Sequence, residues 1–274
     1  MRAILITGCS SGIGHHAAHA LAARGWRVFA TCRKRADVAR LQAEGLESLW
    51  LDLDDTASIA QALQEVLART EGQLDALFNN GAFALPGAVE DLPTDGLRAI
   101  FETNIFGWHE LTRQVLPVMR AQGHGRIVQN SSVLGLAARP WRGAYVATKY
   151  ALEGLTDTLR LEMAGTGIHI SLIEPGPITS RIRENAIPHF ERWIDWQASP
   201  RAEQYRDELQ ARLYEDSGPD VFELPPEAVT RRLIHALESR RPRPRYYVTT
   251  PTYLLGAARR LLSTRILDMI LRKS

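Results

Sequence analysis

Residues 3–14 read Ala3-Ile4-Leu5-Ile6-Thr7-Gly8-Cys9-Ser10-Ser11-Gly12-Ile13-Gly14. The near-continuous apolar run Ile4-Leu5-Ile6 suits a strand covered by helices on both faces. It leads into three glycines and then a helical pattern over Gly12–Arg24. Strand, glycine turn and helix in that order form the context in which backbone approaches a pyrophosphate at a helix N-terminus. Glycine turns also join strands to helices for steric reasons alone, so the turn needs support from the rest of the chain.

Outward from this stretch the same rhythm repeats. Strand-like Arg27–Thr31, Ser48–Leu51 and Leu74–Asn79 alternate with helical Ala36–Glu44 and Ala57–Arg69. A long helical pattern at Gly96–Met119, a strand at Gly125–Asn130, a helix at Gly143–Ala164 and a strand at Ile168–Glu174 complete the series. Such alternation predicts an α/β fold, a three-layer Rossmann-type doubly wound parallel sheet. No repeat, low-complexity tract or flexible linker divides the chain, so residues 1–274 are read as a single domain. After Glu174 the alternation stops. Pro175–Pro226 is an aromatic-rich excursion, from which a substrate lid is expected at about residues 185–225. A helix at Pro225–Ser239, a strand at Arg245–Thr249 and one amphipathic terminal helix at Tyr253–Leu271 follow. That last segment could lie on a membrane surface, close a subunit contact or cover the chain's own pocket.

The 274 residues are 45% hydrophobic and 23% charged, which excludes a disordered or fibrous chain. Lys and Arg number 33 against 31 Asp and Glu, a net +2, and this argues against general attraction to nucleic acid. With only Cys9 and Cys32 there is no disulfide framework, and a cytoplasmic protein with reduced thiols is expected. The first apolar run is too short for a signal peptide. His15, His16 and His19 lie on one helix without an evident acidic or thiol third ligand, so no metal site is expected.

At the end of the second strand, where an acid would favour an unphosphorylated ribose, the chain has Cys32-Arg33-Lys34-Arg35. Guanidinium and ammonium groups there favour a ribose 2′-phosphate, so Arg33 and Lys34 point to NADP(H) over NAD(H). Asn79-Asn80-Gly81-Ala82, Asn104, Ser132 and Tyr145-(x)3-Lys149 join the glycine turn in one pattern. Together they resemble the short-chain dehydrogenase/reductase family over essentially the whole chain. The wording of the motifs is most similar to its hydroxysteroid and retinol dehydrogenase-like branch and the bacterial aldehyde reductases related to it.

Tyr145 and Lys149 are four residues apart and share a helix face. An adjacent ammonium would stabilise the phenolate and bring the tyrosine nearer its working range. Ser132, at the carboxyl end of its strand, can polarise a carbonyl. The resemblance implies that Lys149 also holds the nicotinamide ribose and that Asn104 keeps a water near it. It implies further that Gly8, Ser10, Ser11, Gly12, Ile13 and Gly14 hold the pyrophosphate side. Asp52 and Leu53 then lie at the adenine, and Asn80 and Gly81 along the adenosine. Pro175, Gly176, Ile178 and Ser180, with Thr179 as a further candidate, close over the nicotinamide. Asn80-Gly81-Ala82 transposes the family's last two residues, and Thr148 stands where Ser or Ala is usual; neither change is expected to matter.

The expected activity is hydride exchange between NADP(H) and a lipophilic aldehyde, ketone or alcohol, with Tyr145 as acid and base. The resemblance also implies a homodimer or homotetramer. Two alternatives are a dinucleotide-binding regulator without turnover and a nucleotide-sugar epimerase or dehydratase. The tuned tyrosine argues against the first and the short chain against the second.

Overall fold

The computed structural model describes residues 1–215, 218 and 220–272. Seven strands form one sheet: β1 Ala3–Ile6, β2 Arg27–Cys32, β3 Glu47–Trp50, β4 Ala76–Asn79, β5 Gly125–Asn130, β6 Ile168–Glu174 and β7 Arg245–Tyr247. Their order is β3-β2-β1-β4-β5-β6-β7, with every pair parallel. Strand order reverses between β1 and β4, and the carboxyl ends there open a crevice where ligands bind in doubly wound sheets.

Apolar side chains on alternate faces of the strands set the layers. Ile4, Ile6, Val28 and Ala30 pack against Ala17, Ala18 and Leu21 of α1 (Gly12–Ala23), Leu41 of α2 (Arg35–Ala43) and Val229 and Leu233 of α10 (Glu227–Glu238). On the opposite face Leu5, Leu77 and Ile127 meet Ile59 and Val66 of α3 (Thr56–Arg69), Leu111 and Val115 of α5 (Gly107–Gln122) and Leu152 of α6 (Gly143–Glu162).

Two helices differ from the sequence reading. The long pattern expected at Gly96–Met119 is α4 (Thr94–Phe101), a π-helical segment at Glu102–Phe106, and α5. One extra residue in the helical register leaves the apolar periodicity nearly unchanged, so the pattern could not show it. The expected terminal helix Tyr253–Leu271 is two helices, α11 (Thr250–Leu261) and α12 (Thr264–Leu271). Leu262 is extended and Ser263 takes the N-cap position of α12, a place that serine favours.

The excursion after β6 is largely helical: α7 (Ile182–Trp193), a 3₁₀ turn at Trp196–Ala198, α8 (Ala202–Gln204), a π segment at Tyr205–Gln210 and α9 (Ala211–Tyr214). Positions 216, 217 and 219 of the expected lid lie outside the described residues.

Candidate active site

The turn after β1 is built for close approach. Gly8 and Gly12 have φ of +71° and +57°, a region that favours glycine. A methyl group at Gly8 would lie 2.5 Å from the Gly81 Cα, and one at Gly14 would lie 2.7 Å from Asn80 Nδ2 and closer still to the Gly8 carbonyl oxygen. Ser11 takes the N-cap position of α1 without a side-chain cap bond, and the first turn has no acid. The leading N–H groups of α1 are therefore not satisfied by a side chain, as an anion-binding helix end requires. A dinucleotide pyrophosphate fits this cradle of Gly8, Ser10, Ser11, Gly12, Ile13 and Gly14.

Asn80 and Gly81 act on the cradle in a way the sequence does not reveal. Asn80 Nδ2 donates to the Thr7 and Gly8 carbonyls at 3.0 and 3.2 Å, while Thr7 Oγ1 accepts from the Asn80 and Gly81 amides at 2.9 Å each. Asn80 is thus a staple between the ends of β1 and β4. The transposed glycine is packed against the turn: a methyl there would be 3.1 Å from the Gly8 nitrogen.

The expected catalytic residues meet at the carboxyl ends of β4 and β5. Tyr145 lies in the first turn of α6, with Ser132 near enough to favour its ionised form. Ser132 Oγ also accepts from the Leu134 amide at 3.1 Å, which fixes its rotamer. Lys149 is one turn further along α6, fully buried, with Nζ 2.8 Å from the Asn130 carbonyl and 5.3 Å from the Tyr145 ring centroid. Its Nζ also stands 4.6 Å from the Trp108 ring centroid, a cation–π contact.

Burial dominates the electrostatic balance of the pair. It raises the Tyr145 phenol above its ordinary value, and nearby Ser132 and the Arg142 charge oppose it. Lys149 is itself lowered to about 7 by burial, with Glu153 pulling it back. An ammonium stripped of water is costly, and here a neutral carbonyl rather than a carboxylate receives it. Burial outweighs the lysine–phenol pairing that the i, i+4 spacing suggests.

Asn104 is buried in the π segment, as a helix distortion at a functional site would place it. Its side chain does not reach Lys149. Oδ1 accepts from the Phe83 amide at 3.1 Å, and Nδ2 donates to the Phe83 carbonyl at 2.9 Å and to Thr148 Oγ1 at 3.3 Å. Thr148 Oγ1 in turn donates to the Tyr145 carbonyl at 2.8 Å. The threonine expected to be immaterial therefore links Asn104 to α6, a role open to a hydroxyl but not to alanine.

On the adenosine side, Arg33 and Lys34 are exposed at the end of β2 beside the cradle, and Arg35 stacks over Trp50 with its guanidinium 4.7 Å from the ring. Trp50 Nε1 donates to the Arg33 carbonyl at 2.8 Å, and Arg40 donates to the Ser10 carbonyl at 2.7 Å. Asp52 is half-buried, with its amide on Ser58 Oγ and its carboxylate accepting from the Asp54 amide at 3.2 Å; Leu53 is buried, and a methyl at Gly81 would lie 3.3 Å from its Cδ1.

Beyond β6, Val133 donates to the Pro175 carbonyl at 2.7 Å, and Gly176 is pressed against Thr249 and Thr252 of the α11 turn. Ile178 pairs with Leu224, Thr179 donates to Glu223 at 2.6 Å, and a methyl at Gly12 would be 3.2 Å from Ser180 Cβ. Residues 175–180 thus run from the loop after Ser132 back to the glycine turn.

A short chain dehydrogenase family model matches residues 2–189. The chain belongs to this family. An uncharacterized oxidoreductase, YbbO, of Escherichia coli K12 is 40% identical over 99% of this chain and 94% of its own length. The NADPH-dependent 3-dehydrocapnine reductase of Ornithobacterium rhinotracheale is 31% identical over 100% and 97%. Among solved structures, a short chain dehydrogenase/reductase from Burkholderia phymatum in complex with NAD superposes with a TM-score of 0.78 at 26% identity, covering 99% of this chain and 95% of that one.

Several residues around the site of this short-chain dehydrogenase escaped the sequence reading. Trp108, four residues beyond Asn104, donates to the Gly81 carbonyl at 2.7 Å. Asn130 donates to Asn80 Oδ1 at 2.8 Å and carries the carbonyl that receives Lys149. Behind Lys149, Glu153 bonds Ser131 and Arg245, and Arg245 also pairs with Glu174 at 2.7 Å and Asp157 at 2.6 Å. Glu174 is fully buried and pushed up to about 8 by burial and by Glu153. The available signal was Glu153, four residues after Lys149 on the same helix face.

Phe190, Ile194, Tyr205, Leu209 and Leu213 of the segment after β6 pack with Phe83 and Ile100 in one apolar cluster that includes Tyr145 itself. Tyr205 is held by Asp91 and the Ala88 amide at 2.8 Å each. At the other side, Arg259 of α11 donates to the Gly135 and Leu136 carbonyls at 3.2 and 3.0 Å and lies over the Tyr150 ring. α11 therefore rests on the loop that follows Ser132. Tyr253, Leu254, Leu261, Ile266, Met269 and Ile270 nonetheless remain exposed.

The histidine reading needs one correction. Glu44, from the end of α2, supplies the acidic group that the sequence lacked, accepting His15 Nε2 at 2.7 Å and His19 Nε2 at 2.8 Å. Distance in sequence hid it. The carboxylate is also engaged by Arg40 at 2.6 Å, so the cluster is an ion-paired clasp between α1 and α2. Cys9 and Cys32 are buried, and burial raises both thiols, Cys32 to about 12. No helix among the described residues is long and apolar enough to cross a membrane.

Proposed function

We propose that this short-chain dehydrogenase is an NADP(H)-dependent oxidoreductase that interconverts a lipophilic aldehyde or ketone and its alcohol. The single observation that carries the reading is the buried Lys149, its Nζ 5.3 Å from the Tyr145 ring centroid, on the helix that follows Ser132 and next to a helix end without a side-chain cap. The dinucleotide, when bound, supplies or accepts hydride. Ser132 orients and polarises the substrate oxygen, Tyr145 moves its proton, and Lys149 bears on the phenol from beneath the ring. Dinucleotide phosphates and ribose hydroxyls would give Lys149 a stronger reason to keep its proton than the Asn130 carbonyl does.

The exposed Arg33 and Lys34 beside the cradle support preference for a 2′-phosphate. The apolar cluster around Tyr145 supports a lipophilic substrate and a lid role for residues 185–225. Exposed Phe106, Leu155 and Leu161 in the α4–α5 and α6 helices support a homodimer or homotetramer. Cytoplasmic residence agrees with the buried, protonated thiols.

The test follows reduced-dinucleotide oxidation with NADPH and NADH against aliphatic, aromatic, retinoid and steroid carbonyls, with Tyr145→Phe alongside. Tyrosine-dependent oxidation favouring NADPH is expected. No turnover by the wild type across the panel, despite tight dinucleotide binding, would favour the regulator instead.

A further inference from the structure

The clasp between α1 and α2 brings three potential metal donors to one spot. His15 and His19 are four residues apart on α1, with ring centroids 4.7 Å from each other. Glu44, the C-cap residue of α2, meets both: its Oε2 lies 2.7 Å from His15 Nε2 and 2.8 Å from His19 Nε2. All three donor atoms fall within 4.8 Å of one another. Two imidazole nitrogens and one carboxylate oxygen form a donor set that zinc-like divalent ions accept, whereas magnesium and calcium prefer oxygen alone.

The backbones that carry these donors are firm and the side chains have room to adjust. Ala17, Ala18 and Leu21 of α1 and Leu41 of α2 are buried in one apolar cluster with β1 and β2. The side chains of His15, His19 and Glu44 are 34%, 39% and 29% exposed, which leaves space for an ion and a water in its fourth position. A tetrahedral ion holding donors at about 2.0–2.1 Å sets them about 3.3 Å apart, so each histidine–glutamate contact has to open by about half an ångström. Partly exposed side chains can do this by small rotations. Among the described residues Nδ1 of neither histidine has a hydrogen-bond partner, so each ring can carry its proton there while Nε2 turns a lone pair to the ion. The second carboxylate oxygen, Oε1, accepts from Arg40 at 2.6 Å, which orients the group and leaves Oε2 to the ion. Arg40 also donates to Asp37 at 3.4 Å, so its charge is offset. His16 is turned away, with Nδ1 2.8 Å from Thr230 Oγ1.

We propose that His15, His19 and Glu44 bind one divalent transition-metal ion of the zinc class, which clips α1 to α2. The two histidines lacked only a third ligand in the sequence, and the fold supplies it from 29 and 25 residues further along the chain. The ion-paired clasp and the metal clip are alternative states of the same three side chains. In the first, Nε2–H groups donate to Glu44; in the second, the ion replaces those protons, which pass to water or are exchanged for one at Nδ1. The site stands apart from the oxidoreductase reading and does not depend on it.

The test titrates tag-free, EDTA-treated protein with Zn²⁺ by calorimetry. One ion per chain is expected to bind. His15→Ala, His19→Ala and Glu44→Gln should each weaken binding by at least about tenfold, the smallest loss that even a hydrogen-bond partner of a metal ligand causes. His16→Ala is the control, since that ring is held by Thr230, and it should bind as wild type does. Zn²⁺ at about a hundredfold excess over Kd should raise the wild-type Tm by about 5 °C or more, and should shift the His15 and His19 variants much less. No binding by wild type, or undiminished binding in either histidine variant, overturns the proposal. Undiminished binding in Glu44→Gln overturns it as well, because it leaves a bare histidine pair. Unfolding of each variant without metal shows whether it is folded. If alanine loosens the clasp, His15→Gln and His19→Gln keep a donor for Glu44 without an imidazole, and they are expected to lose the ion in the same way.

Discussion

Gly14→Ala separates helix propensity from tertiary fit. Gly14 lies in the first turn of α1, and propensity alone favours alanine there by about 1 kcal/mol. The added methyl would stand 2.7 Å from Asn80 Nδ2, about 0.7 Å inside an ordinary 3.4 Å contact, and closer still to the Gly8 carbonyl oxygen. Neither neighbour can yield cheaply. Asn80 is tied to Thr7, Gly8 and Asn130, and the Gly8 backbone is already packed on Gly81. Overpacking of this kind costs about 1–3 kcal/mol, which cancels the propensity gain and leaves a net destabilisation of up to about 2 kcal/mol. Because α1 must shift against the turn, NADPH affinity should fall by about tenfold or more. Gly154→Ala is the control. Gly154 lies within α6 and a methyl there meets nothing within 4 Å, so the same substitution should stabilise by about 0.5–1 kcal/mol. Urea unfolding and NADPH fluorescence titration read the two quantities. A Gly14→Ala protein as stable as Gly154→Ala, with wild-type affinity, would refute the reasoning.

Other consequences concern charge and cover. Lys149 is lowered to about 7, so at pH 8 it is mostly neutral, and binding an anionic dinucleotide should draw in a proton, approaching about one per site. Calorimetry in buffers of different ionisation enthalpy measures this, and Lys149→Met should abolish it; no uptake by the wild type would count against the assignment. Glu174 is raised to about 8, so its contribution to stability is fully present below about pH 4.5 and is lost as pH rises through 8. Glu174→Gln should flatten that part of the Tm profile, and an unaltered profile would show that another group is responsible. Arg259→Ala removes the donors to the Gly135 and Leu136 carbonyls. Amide exchange across residues 133–137 should quicken and KM should rise several-fold, whereas unchanged exchange would mean that α11 does not steady the loop after Ser132.

Much of this molecule was legible because its signals are local. Strands β1 and β6 are short apolar runs, and the Gly8–Gly14 turn follows directly on β1. Tyr145 and Lys149 share a face through helical geometry alone. Their chemistry was legible only in kind. How far burial outweighs a neighbouring charge depends on what surrounds both groups, and the carbonyl of Asn130 and ring of Trp108 come from β5 and α5.

The sequence by itself determined the alternation of strand and helix, the glycine turn after β1 and the shared face of Tyr145 and Lys149, since each is written within one element or one turn. Tertiary structure alone decided that Asn80 staples two strand ends, that Thr148 ties Asn104 to α6 and that Glu44 clasps two helices. The physical reason is the same in each case. Hydrogen bonds and Coulomb forces act over a few ångströms of space, and no spacing along the chain records which residues the fold brings that close.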